Sequence, residues 1–248
     1  MGRMTEAIKH LIIINVIFFI AGVTGLADTL YEYLALWFPK NPNFEFWQVI
    51  SHMFLHDFTG FFHILFNMYA LWAFGSPLER MWGRNKFLFF YFSAGIGGAL
   101  LHIASNYYFF NQGLEVITGA GLTEQRVVEI LSSGQYSPDW YKLASQNTID
   151  RFMSAFNAPA VGASGAVYGV LVAFAFMFPN SELMMIFLPV PIKAKYFVPL
   201  MIFGYDILYG LLGSGSNVAH FAHIGGALIG FIMMWYWKKN QFNQNRWN

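Results

Sequence analysis

The chain has 248 residues, of which 56% are hydrophobic, 20% aromatic and only 11% charged, with a mean hydropathy of +0.45. This composition excludes an ordinary soluble domain of that length and points to an integral membrane protein. A net charge of +1 gives no reason to expect nucleic acid as a partner, and zero cysteines exclude disulfides and thiolate metal sites.

A spanning helix needs about 20 mostly apolar residues to cross about 30 Å of hydrocarbon. Six stretches meet that need, near 8–26, 60–79, 86–106, 159–178, 195–212 and 218–237. The first follows a short basic start with no small-residue cleavage site behind it, so it is expected to remain as a span. With both termini on the cytoplasmic side, Arg3, Lys9, Arg80, Arg84, Lys86, Lys193, Lys195, Lys238, Lys239 and Arg246 all fall inside, ten of the fourteen basic residues. Lys40, Arg126, Lys142 and Arg151 are left outside. The second, fourth and sixth spans then descend from the outer face.

Two outer connections are long. Residues 27–59 are too aromatic for a free linker ("YEYLALWFPK", "FEFWQVISHMFLHDF") and are expected on or partly in the interface. Residues 107–157 are more polar and read as an extramembrane insertion. There Ser137 and Pro138 predict a helix over 138–150, with another near 123–132. The absence of an internal repeat argues against a transporter built from duplicated halves.

Polar side chains inside a span face the bundle interior, so their depths are informative. His63 and Asn67 lie one turn apart in the outer half of the second span, in "FFHILFNMYAL". Ser164 is expected five residues into the fourth span, and His223 about five residues into the sixth, both near the outer end. These groups on three helices therefore meet at one level. A serine hydroxyl with a histidine base suits hydrolysis. His63, Asn67 and the Ser164 backbone N–H at a helix N-terminus could hold an oxyanion. No carboxylate accompanies His223 in the sequence, so the arrangement reads as a dyad. Tyr168, one turn beyond Ser164, is expected to support the imidazole in place of a carboxylate. Gly165 with Gly169, and Gly226 with Gly230, allow the fourth and sixth helices to approach closely. Gly225 is expected to add room beside His223, and Gly162 to let a substrate backbone come near.

The chain resembles the rhomboid intramembrane serine proteases, through "GASG" (Gly162 to Gly165) followed by Tyr168, "HILFN" (His63 to Asn67) and "AHIGGALIG" (Ala222 to Gly230). "GSPLERMWG" (Gly75 to Gly83) looks like the family's segment at the inner end of the second span. The resemblance extends over all six spans. It implies an all-α six-helix bundle with Ser164 as nucleophile, His223 as base, and His63 and Asn67 lining the oxyanion hole. It further implies cleavage of single-span membrane proteins near the outer boundary, with lipid as surroundings and no cofactor. Two features depart from the family pattern: Gln48 follows Trp47 where arginine is frequent, and the 107–157 insertion is long.

Other polar residues carry plainer expectations. His52 and His56 form an i, i+4 pair without the acid of a metalloprotease motif, so interfacial or loop-capping roles are expected and no metal site is assigned. His220 shares a face with His223, and the glycines after His223 select the latter as base. Glu79 and Arg80 are expected to pair and fix the inner loop, and Asp206 to hydrogen-bond within the bundle. The rival readings are a catalytically silent rhomboid-like protein that binds transmembrane helices, and a small transporter. The compact form suggests a bacterial plasma membrane. The oligomeric state is not legible.

Overall fold

The computed structural model describes residues 3–185, 188–208 and 220–240. The end of the predicted fifth span, the first residues of the sixth and Arg246 lie outside them. Helix α1 (Glu6–Ala21) runs through a π turn (Gly22–Leu26) into α2 (Ala27–Leu34), followed by the short α3 (Gln48–Ser51). Helix α4 (Phe61–Ala70) continues through a second π turn (Leu71–Gly75) into α5 (Ser76–Trp82), and α6 spans Arg84–Gly119. Helices α7 (Glu124–Ser132), α8 (Gln146–Asn157) and α9 (Ser164–Met177) come next. After a hairpin, α10 (Ala194–Pro199) extends as a π-helix over Leu200–Ile207, and α11 covers His220–Asn240. Two helices among the described residues, Glu6–Leu34 and Arg84–Gly119, are long and apolar enough to cross a membrane, and Ser164–Met177 and Ala194–Gly204 are shorter apolar helices.

The bundle is centred on α6, α9 and α11, whose backbones touch where glycines face each other. A β-carbon placed on Gly226 would lie 1.8 Å from the Gly165 carbonyl oxygen. One on Gly230 would lie 2.8 Å from Gly169 Cα, so the expected seam of Gly165, Gly169, Gly226 and Gly230 is present. Gly225 is different. It faces α6, where its β-carbon would meet the Gly97 carbonyl oxygen at 2.5 Å, and does not open space beside His223. Phe87, Phe90, Tyr91, Val170, Met234 and Trp237 fill the buried layer beyond the seam. Many large apolar side chains face outward, among them Ile17, Phe62, Phe89, Phe203 and Ile232, a surface suited to lipid.

The region 107–157 is not a loop hung between two spans. Helix α6 continues unbroken past the predicted end at 106, and its Phe110 and Ile117 form a second core with Val127, Leu131, Trp140, Phe152 and Phe156. The helix near 123–132 is present, capped by Thr123. The predicted 138–150 helix is split: Ser137 caps only a 3-10 turn (Pro138–Lys142), and a second cap at Ser145 starts α8, which runs to Asn157. Two competing N-caps within eight residues made the single-helix reading fail. The hairpin, with β1 (Glu182–Met185) antiparallel to β2 (Leu188–Lys193), has no counterpart in the expectations.

Glu79 and Arg80 do not pair with each other. The Glu79 carboxylate accepts hydrogen bonds from the backbone N–H groups of Ala7 (2.8 Å) and Ile8 (3.1 Å), and from the Thr5 hydroxyl. It thereby caps α1 from another helix. Arg80 donates to the Arg3 carbonyl at 2.8 Å. Glu79→Ala strands those buried donors and is expected to cost about 1–3 kcal/mol. Thermal unfolding in detergent should register that loss, with activity per folded molecule unchanged.

Candidate active site

The position of Ser164 begins with the loop before it. Leu36 and Ala160 exchange backbone hydrogen bonds at 2.9 Å each, and the Gly162 N–H donates to the His52 carbonyl at 3.0 Å. The 27–59 connection therefore clamps the loop before Ser164. Gly162 adopts φ 126°, a conformation that L side chains rarely take. The chain turns there, and Ser164 becomes the first residue of α9. The expectation that Ser164 lies five residues into its helix is thus corrected: 159–163 precede the helix because the Leu36 bridge holds Ala160 and the chain turns at Gly162.

Within the clamp, His223 Nε2 lies 2.8 Å from Ser164 Oγ. The Tyr168 ring stacks on the imidazole, with centroids 4.3 Å apart and planes at 9°. Contrary to the sequence reading, a carboxylate does accompany His223. Asp206 Oδ1 is 2.7 Å from His223 Nδ1 and 3.0 Å from His220 Nδ1. Its side chain is fully buried, and that of His223 only 11% exposed. Tyr168 therefore adds to a carboxylate instead of replacing one. Of the two histidines, it is the His223 ring that faces the serine.

His63 supplies a donor on the other side. The Asp57 backbone N–H points at His63 Nδ1 at 3.2 Å, which requires a lone pair there and leaves the proton on Nε2. That Nε2 faces the active loop: a β-carbon on Gly162 would sit 3.2 Å from it and 3.5 Å from Ser164 Oγ. Asn67 is buried one turn along, and its side-chain amide donates to the His63 carbonyl at 2.9 Å, using one of its two N–H groups. Ser164, His223, His63 and Tyr168 are thus brought together, with Asn67 beside them.

His52, His56 and Gln48 pack outside the Ser164–His223 contact. His52 Nδ1 contacts the Gln48 carbonyl at 2.8 Å, and the His56 ring packs edge-on against His63 at 5.0 Å. Burial pushes His56 down to about 3, so it is neutral at ordinary pH. Gln48 is fully buried; its amide donates to the Asn43 carbonyl at 2.7 Å and accepts from the Trp37 N–H at 3.2 Å. An arginine there has no acceptor for Trp37, which accounts for the amide at this position.

A family model described as "Rhomboid domain" matches residues 43–121 and 140–240. The chain belongs to the rhomboid family. The unmatched 122–139 contains α7, so the family's core leaves out that part of the insertion. The chain is similar to "Rhomboid protein 1, mitochondrial" of Saccharomyces cerevisiae, 27% identical over 196 residues, which is 77% of this chain and 42% of the relative. It is 28% identical over 216 residues to the human "Presenilin-associated rhomboid-like protein, mitochondrial", covering 86% of this chain and 42% of that one. It is 26% identical over 191 residues to "Rhomboid protease GluP" of Bacillus subtilis, covering 76% and 25%. The chain spans less than half the length of these relatives. Two of the three are mitochondrial by name, and this overturns the expectation of a bacterial plasma membrane. A compact bundle reflects what the fold needs to cross a bilayer, and carries no information about which bilayer that is.

Proposed function

We propose that this protein is an intramembrane serine endopeptidase of a mitochondrial membrane, with six spans and both termini on the same, more basic side. The contact between Ser164 Oγ and His223 Nε2 at 2.8 Å carries the reading. Helix α9 has 14 residues. At 1.5 Å per residue it covers about 21 Å, short of the roughly 30 Å hydrocarbon layer, a shortfall that leaves room for its serine end below the membrane surface.

A single-span substrate enters laterally past the fifth span and unwinds until a peptide carbonyl reaches Ser164. Oγ attacks the carbonyl carbon as His223 Nε2 takes the hydroxyl proton. The resulting oxyanion is received by the His63 Nε2–H, the Ser164 N–H and Asn67. The C–N bond then breaks, the amine leaves with the proton from His223, and water hydrolyses the acyl-enzyme along the same route. Small residues are favoured at the scissile position because Gly162, Ala163 and Gly165 make a tight loop. The chemistry calls for no cofactor.

The test is Ser164→Ala in purified protein. It is expected to abolish both labelling by a fluorophosphonate probe and cleavage of a transmembrane reporter substrate. Cleavage at the wild-type rate would overturn the assignment.

A further inference from the structure

The fifth span holds a carboxylate that a two-residue mechanism does not use. Asp206 lies in the π-helical stretch Leu200–Ile207, a winding that is frequent at functional sites. Its fully buried side chain presents one oxygen, Oδ1, to the Nδ1 atoms of both His223 (2.7 Å) and His220 (3.0 Å). An ionised carboxylate only accepts hydrogen bonds, so both rings must carry their proton on Nδ1. For His223 this decides the chemistry. Nε2 is left with its lone pair, 2.8 Å from the Ser164 hydroxyl. The opposite tautomer would present an N–H to the serine and could not take its proton.

We infer that Asp206 is the positioning residue of a Ser164–His223–Asp206 triad, and that His220 is the second donor holding its carboxylate in place. The inference rests on the proposed protease reading and deepens it. The carboxylate fixes the imidazole's tautomer and orientation, and its negative charge stabilises the imidazolium formed when Nε2 takes the serine proton; Asp206 itself stays ionised throughout. The groups around the His223 ring include Asp206 from the fifth span, His220 from its own helix, Tyr168 and Ser164 from α9, His63 from α4 and His102 from α6. Asp206 is the carboxylate among them. Tyr168 stacks on the ring face, so the edge carrying Nδ1 is held by Asp206.

Asp206→Asn keeps the side chain's size and removes its charge. The rate constant for fluorophosphonate labelling is expected to fall about 10²–10⁴-fold, with the initial binding of the probe unchanged. In isotope-labelled histidine spectra, wild-type His223 should show the Nδ1–H tautomer, identified by loss of its signal in His223→Ala; Asp206→Asn should lose that tautomer preference. The wild-type spectrum is informative even if the variant fails to fold, because an Nε2–H tautomer in wild type would overturn the inference. So would an Asp206→Asn protein that labels at the wild-type rate. Failure of the protease reading is distinguishable, since wild type would then show no labelling that depends on Ser164.

Discussion

Gly162→Ala is expected to fold and to lose roughly 10²–10³ in turnover, the effect of disabling one oxyanion donor. Two independent features drive this. The backbone at Gly162 has φ 126°, so a side chain there is strained, at a cost of about 1–3 kcal/mol. The new methyl would also stand 3.2 Å from His63 Nε2 and 3.5 Å from Ser164 Oγ, in the space assigned to the oxyanion under the proposed function. Because the added group blocks the transition state more than the enzyme's grip on a substrate helix, the loss should appear in kcat with KM little changed. Reporter cleavage at saturating substrate measures it. An unchanged kcat would mean that the oxyanion forms elsewhere and that the role given to His63 is wrong.

Gly226→Ala should have the largest effect on the fold itself. Its β-carbon would meet the Gly165 carbonyl oxygen at 1.8 Å and the Gly165 backbone carbon at 2.6 Å. No rotamer change relieves a clash with backbone, so α9 and α11 must separate. Overpacking of this kind typically costs about 1–3 kcal/mol and more when backbone has to move. Because α11 carries His223 and α9 carries Ser164, the same separation pulls the two side chains apart. The expected outcome is a sharply lowered unfolding temperature together with loss of probe labelling. Gly119→Ala is the matched control: nothing lies within 4 Å of its added carbon, and it should leave both readouts unchanged.

The sequence and the fold contributed differently to the site. His63 and Asn67 at i, i+4, Tyr168 one turn beyond Ser164, and the glycine seam are all helical spacings, and each was legible because helix geometry repeats along the chain. Glu79 and Gln48 were misread or left open because their partners lie in other elements: the first turn of α1 for Glu79, and the backbones of Asn43 and Trp37 for Gln48. The mistaken depth of Ser164 has a local cause. Hydropathy counts 159–163 as apolar and cannot see that Gly162 turns the chain there.

Asp206 is the clearest example of the divide. Its type and its place in the predicted fifth span are evident, and counting from Lys195 puts it in the half of that span away from the basic end. A sign of the role was therefore present, yet spacing along one helix says nothing about which neighbouring face it meets. By itself the sequence determined the class of protein, the family and the side chains able to do acyl chemistry, since composition, helical period and short motifs are properties of the chain. Only the tertiary structure decided that an aspartate 17 residues from His223 fixes that histidine's tautomer, a matter of 2.7 Å between helices. Hydrogen bonding depends on distance and direction in space, and those are set by packing.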